Sequence, residues 1–135
     1  MSQLERFGVS MEGDLLKRFD ERIALKGYRT RSEAIRDLVR QELVESAWEQ
    51  PNALVFGTVT LIYDHHARGL SEVLAELQHD HHASILCTTH VHVDAHSCLE
   101  VIIVKGTTEV VRRIADALIA TKGVQHGHLV CSAVS

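Results

Sequence analysis

Arg6-Phe7-Gly8-Val9-Ser10-Met11 alternates in period two, with Phe7, Val9 and Met11 on one face and Arg6, Gly8 and Ser10 on the other. That alternation predicts a short, half-buried β-strand. From Asp14 the period lengthens: Leu15, Leu16, Phe19, Ile23 and Ala24 make a helical stripe, and Gly27 follows as a C-cap. Thr30-Arg31-Ser32-Glu33 is a capping box for a second helix whose stripe is Ile35, Leu38, Val39 and Leu43. The single proline, Pro51, follows the polar run Trp48-Glu49-Gln50 and ends that helix. A domain boundary is placed there, with residues 1-50 as one domain and 51-135 as the other.

One strand and two helices in so short a module leave the strand without a pairing neighbour, and an unpaired edge is unstable and sticky. Two copies solve this. Antiparallel pairing of two such strands, with four helices wrapped around them, is the ribbon-helix-helix arrangement, whose two-stranded ribbon enters the DNA major groove. Arg6, Gly8 and Ser10 then face the bases.

Beyond Pro51, Leu54 to Tyr63 is predicted as a strand, and Leu70, Val73, Leu74 and Leu77 carry helical spacing. Ala83 to Val93 and Cys98 to Val104 form a hairpin about the turn Asp94-Ala95-His96-Ser97. Val110, Val111, Ile114, Leu118 and Ile119 make a helix ended at Gly123, and a last strand lies around His128 to Cys131. The order is βαββαβ, a ferredoxin-like α+β domain with helices on one face of an antiparallel sheet. Its bare face is rich in Val and Ile, so the sheet is expected to associate with another copy.

At 135 residues, 45% hydrophobic and 24% charged, the chain has the composition of a folded globular protein. Its apolar runs fall short of the roughly 20 residues a membrane helix needs, and Met1 to Ser10 lacks a continuous apolar signal core, so a cytoplasmic protein without membrane contact is expected. The odd cysteine count, Cys87, Cys98 and Cys131, argues against a disulfide framework and permits a thiolate ligand. A net charge of -4 gives no bulk electrostatic sign of nucleic-acid binding. The loudest signal is histidine: ten residues, all beyond Pro51.

His90-Val91-His92 places two imidazoles on one face of a strand, since residues two apart point the same way. Hairpin closure brings Cys98 near them, and two nitrogens with a soft thiolate suit a late first-row divalent metal. Glu100 shares the Cys98 face and can orient a histidine by accepting its second ring N–H. The plainer alternative is a solvated His-x-His beside a small core cysteine. A further ligand can come from Gln78-His79-Asp80-His81-His82, although spacing does not select among these histidines.

Taken together, Arg6 to Ser10, Gly27-Tyr28 with Arg31 to Asp37, Gln78-His79, His90-Val91-His92, Cys98-Leu99-Glu100, Lys105-Gly106 and Gly123-Val124 with His126 to Leu129 resemble the nickel-responsive transcriptional regulator family (NikR) over essentially the whole chain. The resemblance implies a ribbon-helix-helix module fused to an ACT-like metal-binding and tetramerisation domain. It implies one Ni(II) per subunit, held in a planar site by His90, His92 and Cys98 of one subunit and His79 of a facing one. It also implies a homotetramer, a dimer of dimers, that binds palindromic double-stranded operator DNA and represses nickel-uptake genes.

By the same resemblance Arg6, Gly8 and Ser10 read bases, Thr30, Arg31 and Ser32 at a helix start hold a phosphate, and Arg68 reaches DNA from the metal domain. Gly8 departs from members with threonine there, and Ala67 replaces a lysine of some members. Glu33 and Asp37, four apart on one helix face, are expected to hold an alkali-type cation (K+) at the domain interface, against the alternative of an acidic face neutralised by Arg36 and Arg40. His65, His66, His81, His82, His96, His126 and His128 are assigned no specific role, and Trp48, Tyr28 and Cys87 are assigned to packing. A metal-dependent enzyme is disfavoured, because no His-Glu-x-x-His or comparable motif occurs. A regulator of another divalent metal, zinc or cobalt, or of an amino acid, stands as the alternative.

Overall fold

The computed structural model describes residues 2–134, and the chain forms two compact units, Met1–Arg40 and Gln41–Ser135.

In the first unit, α1 spans Gly13–Leu25 and α2 begins at Arg31, running on to Glu49 in the second unit. α1 ends as predicted. Gly27 takes φ 87°, and the N–H groups of Gly27 and Tyr28 return to the carbonyls of Ala24 and Ile23, closing the last turn with a left-handed glycine. At the start of α2 the Thr30 hydroxyl accepts from Glu33 N, but the Glu33 carboxylate accepts from Arg29 N rather than from Thr30 N, so the capping box is shifted by one residue on its return arm.

Residues 2–12 carry neither helix nor strand. The strand expected over Arg6–Met11 is thus absent from the single chain, and its apolar face is bare, with Phe7 76% and Val9 60% exposed. The reason is the missing ladder: strand N–H and C=O groups need a neighbour, and one chain supplies none. The helices share this deficit. Ile23 and Ala34 are buried and Ile35 is half-buried, while Leu38, Val39 and Leu43, the rest of the predicted stripe of α2, are exposed.

The second unit is self-sufficient. β1 (Leu54–Asp64), α3 (Leu70–Asp80), β2 (Ile85–His92), β3 (Ser97–Thr107), α4 (Thr108–Ile119) and β4 (Val124–Ser132) follow in the predicted βαββαβ order. The sheet is antiparallel in the order β2-β3-β1-β4, so β1 and β3 are central and β2 and β4 are edges. The alternation expected along β1 and β3 appears as burial on every second residue: Val55, Val59, Leu61 and Tyr63 on one strand, Cys98, Glu100, Ile102 and Val104 on the other. Val111, Ile114 and Leu118 of α4, with Leu70 and Leu74 of α3, close the core over that face.

The end of α2 belongs to this core. Trp48 is buried, donates its indole N–H to Ser132 O at 3.0 Å, and carries the Arg112 guanidinium over its ring at 5.0 Å. Pro51 therefore marks the end of a helix, whereas packing changes earlier, at Gln41, because Val44, Ala47 and Trp48 pack with the sheet domain. At the N-terminus of α4 the Thr107 hydroxyl accepts from Val110 N.

Candidate metal centre

β2 and β3 run antiparallel with His92 opposite Cys98 and His90 opposite Glu100. Directly paired residues share a face, and this is the face that also bears Tyr63, the partner of Cys98 across the β1–β3 ladder. The four residues chosen from spacing along the hairpin therefore share one face, but His90 lies beside Glu100 and outside the close group of ligand atoms that contains His92 and Cys98. The turn between the strands is built by Asp94, whose Oδ1 accepts from His96 N and Ser97 N at 2.8 and 2.7 Å; these two bonds hold its carboxyl below the usual range.

The thiol of Cys98 is fully buried, and its pKa is raised by burial, with further contributions from the nearby Glu100 and Asp64 carboxylates. In the metal-free protein it is held as a thiol. His92 stacks on His90 at 5.5 Å between ring centroids, and His90 Nδ1 lies 4.0 Å from Glu100 Oε1. Glu100 is itself buried. Its Oε1 accepts from Tyr63 Oη at 2.8 Å and its Oε2 from Gln78 Nε2 at 2.7 Å, so it is satisfied although no cation is bonded to it. The phenol of Tyr63 is in turn pushed up in pKa by burial and by the Glu100 hydrogen bond. A cavity of about 320 Å³ lies here, lined by Tyr63, Ser71, Gln78, Thr88, His90 and Glu100 among others.

His65 was missed. Its ring stacks on His92 at 4.6 Å, and one ligand atom each of His65, His92 and Cys98 lie within 4.8 Å of one another. Its Nδ1 is buried without a hydrogen-bond partner, and its pKa is lowered by burial and then by His66 and His92. Local spacing carried no signal for it. His65 reaches the site because the ladder brings the ends of β1 and β3 level, Asp64 facing Ser97, and His65 N donates to His96 O. The donor set of buried thiol, imidazoles and a carboxylate fits a borderline divalent ion. His79 is exposed near the end of α3, stacked with His82 at 5.9 Å, and is not part of this cluster within one chain.

The residues expected to meet DNA are solvent-facing. Arg6, Gly8 and Ser10 are exposed, as is Arg68, which precedes the left-handed Gly69 at the start of α3. Ala67 is partly buried against the core. Thr30 serves as the helix cap described above. Ser32 offers its backbone carbonyl to Arg36 Nε at 3.3 Å, and the Arg31 guanidinium is held by Asp20 through two bonds of 2.8 Å. Asp37 accepts from Tyr28 Oη at 2.6 Å and pairs with Arg40 at 3.4 Å, so Tyr28 is a hydrogen-bonding residue and not only a packing one. With Glu33 bonded to Arg29 N, both carboxylates of the expected cation pair already have partners within the first unit.

Among the described residues no helix is long and apolar enough to cross a membrane. Residues 56–132 match the family described as NikR C terminal nickel binding domain, and residues 5–46 match the ribbon-helix-helix protein, copG family. The chain is 57% identical to a nickel-responsive regulator of Solibacter usitatus over 96% of this chain and 93% of that one. It is 55% identical to one of Geobacter sulfurreducens over 96% and 94%, respectively. A solved structure of an uncharacterized protein from Thermotoga maritima has a similar fold, with a TM-score of 0.50 at 13% identity, over 61% of this chain and 99% of that one.

Proposed function

The chain belongs to the nickel-responsive regulator family, and from that premise we propose that it is a nickel-dependent repressor of nickel-uptake genes, acting as a cytoplasmic homotetramer on palindromic operator DNA. It is a regulator, not an enzyme. Ni(II), one per subunit, is held by His90, His92 and Cys98 with His79 of a facing subunit, and Glu100 orients His90 from behind. The observation that carries this reading is the pairing of His92 with the buried Cys98 on the face that His90 and Glu100 share.

The metal supplies a cross-link between chains, because a ligand set divided between subunits makes occupancy depend on assembly. Cys98 gives up its proton to bind, and the imidazoles bind neutral. Nickel then shifts the population toward the DNA-competent arrangement by the difference in its affinity for the two arrangements, and tight binding alone switches nothing.

The exposed apolar face of Phe7, Val9 and Met11 and the bare Leu38 and Val39 support a second copy at the first unit, where paired ribbon strands present Arg6, Gly8 and Ser10 to the major groove. Thr30, Arg31, Ser32 and Arg68 are assigned to phosphates. Arg31 must exchange its Asp20 partner for one. A K+ ion on Glu33 and Asp37 belongs to the same proposal and requires Asp37 to release Tyr28 or Arg40.

His65 supports a second reading of the ligand set, in which His65, His92 and Cys98 of one chain hold the ion. Titration of the metal-free protein with Ni(II), read by the thiolate charge-transfer band and by mass, separates the two. Loss of tight binding in His79→Ala but not in His65→Ala supports the divided set, and the reverse supports the intrachain one. Tighter Zn(II) or Co(II) binding that drives operator binding better than nickel would overturn nickel sensing.

A further inference from the structure

α3 ends one residue after His79, and its C-cap, His81, is not a glycine. Its last turn is closed through the backbone, His81 N donating to Gln78 O and His82 N to His79 O, both at 3.2 Å, but these bonds do not tie it to the sheet. Yet Gln78, next to His79, is tied down at both ends of its side-chain amide. Nε2 donates to Glu100 Oε2 on β3 at 2.7 Å, and Oε1 accepts from Thr88 Oγ1 on β2 at 2.7 Å.

We propose that Thr88 is a positioning residue of the nickel site: its hydroxyl fixes the Gln78 amide and thereby holds the last turn of α3, with His79, at a set height against the strand that carries His90 and His92. The inference rests on the divided ligand set proposed above. A carboxylate accepts only, so Glu100 requires the amide nitrogen, and the amide oxygen is left pointing at β2. The Thr88 hydroxyl is the donor that meets it. Thr88 is opposite Ile102 in the ladder and two residues from His90, so it shares the face of the metal ligands. One bond to Glu100 would leave the helix end free to pivot, and the second, to a different strand, removes that pivot. Ligands held in place before the metal arrives bind it more tightly, because less ordering remains to be done.

The test uses the full-length chain as Thr88→Val, which keeps the β-branched shape and removes the donor, and as Thr88→Ser, which keeps the donor. Thr88→Val is expected to bind Ni(II) about tenfold more weakly than wild type, the lower end of what outer hydrogen-bond partners of metal ligands contribute. In the metal-free protein its amides at the end of α3 exchange faster, while the thermal midpoint stays at the wild-type value. Thr88→Ser restores both readings. Wild-type affinity and exchange in Thr88→Val, or failure of Thr88→Ser to restore them, overturns the inference. A purely structural role would instead lower the midpoint in step with affinity, which also overturns it. Cys98→Ala serves as the separate control: if it binds nickel as wild type does, the site itself is wrongly assigned, whereas the exchange comparison still judges the Thr88–Gln78 tie.

Discussion

His92 and Cys98 are direct cross-strand partners in the β2–β3 hairpin, so an imidazole and a buried thiol meet on the helix-covered face of the sheet at its edge. An edge position matters for a ligand set divided between chains, since β2 has a neighbouring strand on one side only and its other side is open to a second subunit.

Cys98→Ala and His92→Ala are each expected to abolish the nickel–thiolate band or reduce nickel affinity by more than tenfold. Glu100→Gln keeps the ligands and is expected to weaken binding by about 10- to 100-fold, as outer partners of metal-bound histidine do. Titration of each variant against wild type checks this order.

Nickel affinity is expected to rise with pH. The Cys98 thiol has its pKa raised by burial and then by Glu100 and Asp64, so across the neutral range it is protonated and must release a proton to bind. Below that raised pKa, one proton lost per metal bound makes the apparent affinity climb about tenfold per pH unit from this group alone. Competition titrations at several pH values, with proton release followed by an indicator, read the slope; a flat profile counts against thiolate ligation.

Arg6→Ala is expected to weaken operator binding by about 1–3 kcal/mol and to relax preference at one base position, as loss of a bidentate base contact does. Arg68→Ala, at a residue proposed to meet a phosphate, is expected to weaken binding alike on specific and random DNA and to lower the salt slope by about one. Binding curves over a salt series distinguish the two.

Trp48→Ala is expected to destabilise the metal-free protein by about 3–5 kcal/mol, the cost of emptying a buried indole site, and it also frees the Ser132 carbonyl. Denaturant unfolding of the variant measures it.

Gly57→Ala adds a methyl that would lie 2.8 Å from both Leu129 Cδ1 and Val111 Cγ1 in the core. Crowding of this kind costs about 1–3 kcal/mol. A lower thermal midpoint at unchanged nickel stoichiometry is the expected result.

The βαββαβ order was legible in the second unit because its strands alternate against a one-sided core and its helices repeat every three to four residues. Both periods survive in the burial of β1, β3 and α4. Gly27 and Gly123 mark ends where backbone chemistry is local; Gly123 takes φ 102°. Arg6–Met11 was legible as a strand in pattern only, since its ladder needs a partner that one chain does not contain. The start of the second packing unit at Gln41 was not legible, because α2 continues unbroken across it and the change shows only in the packing of Val44, Ala47 and Trp48 with the sheet domain.

Sequence alone determined the hairpin pairing that puts His90, His92, Cys98 and Glu100 on one face, because side-chain direction in a strand repeats every two residues and a turn fixes the register. It could not place His65 beside them or join Gln78 to both Glu100 and Thr88. Those contacts come from segments far apart in the chain, and which side chains meet is decided by how the sheet and α3 pack, a property of the folded whole.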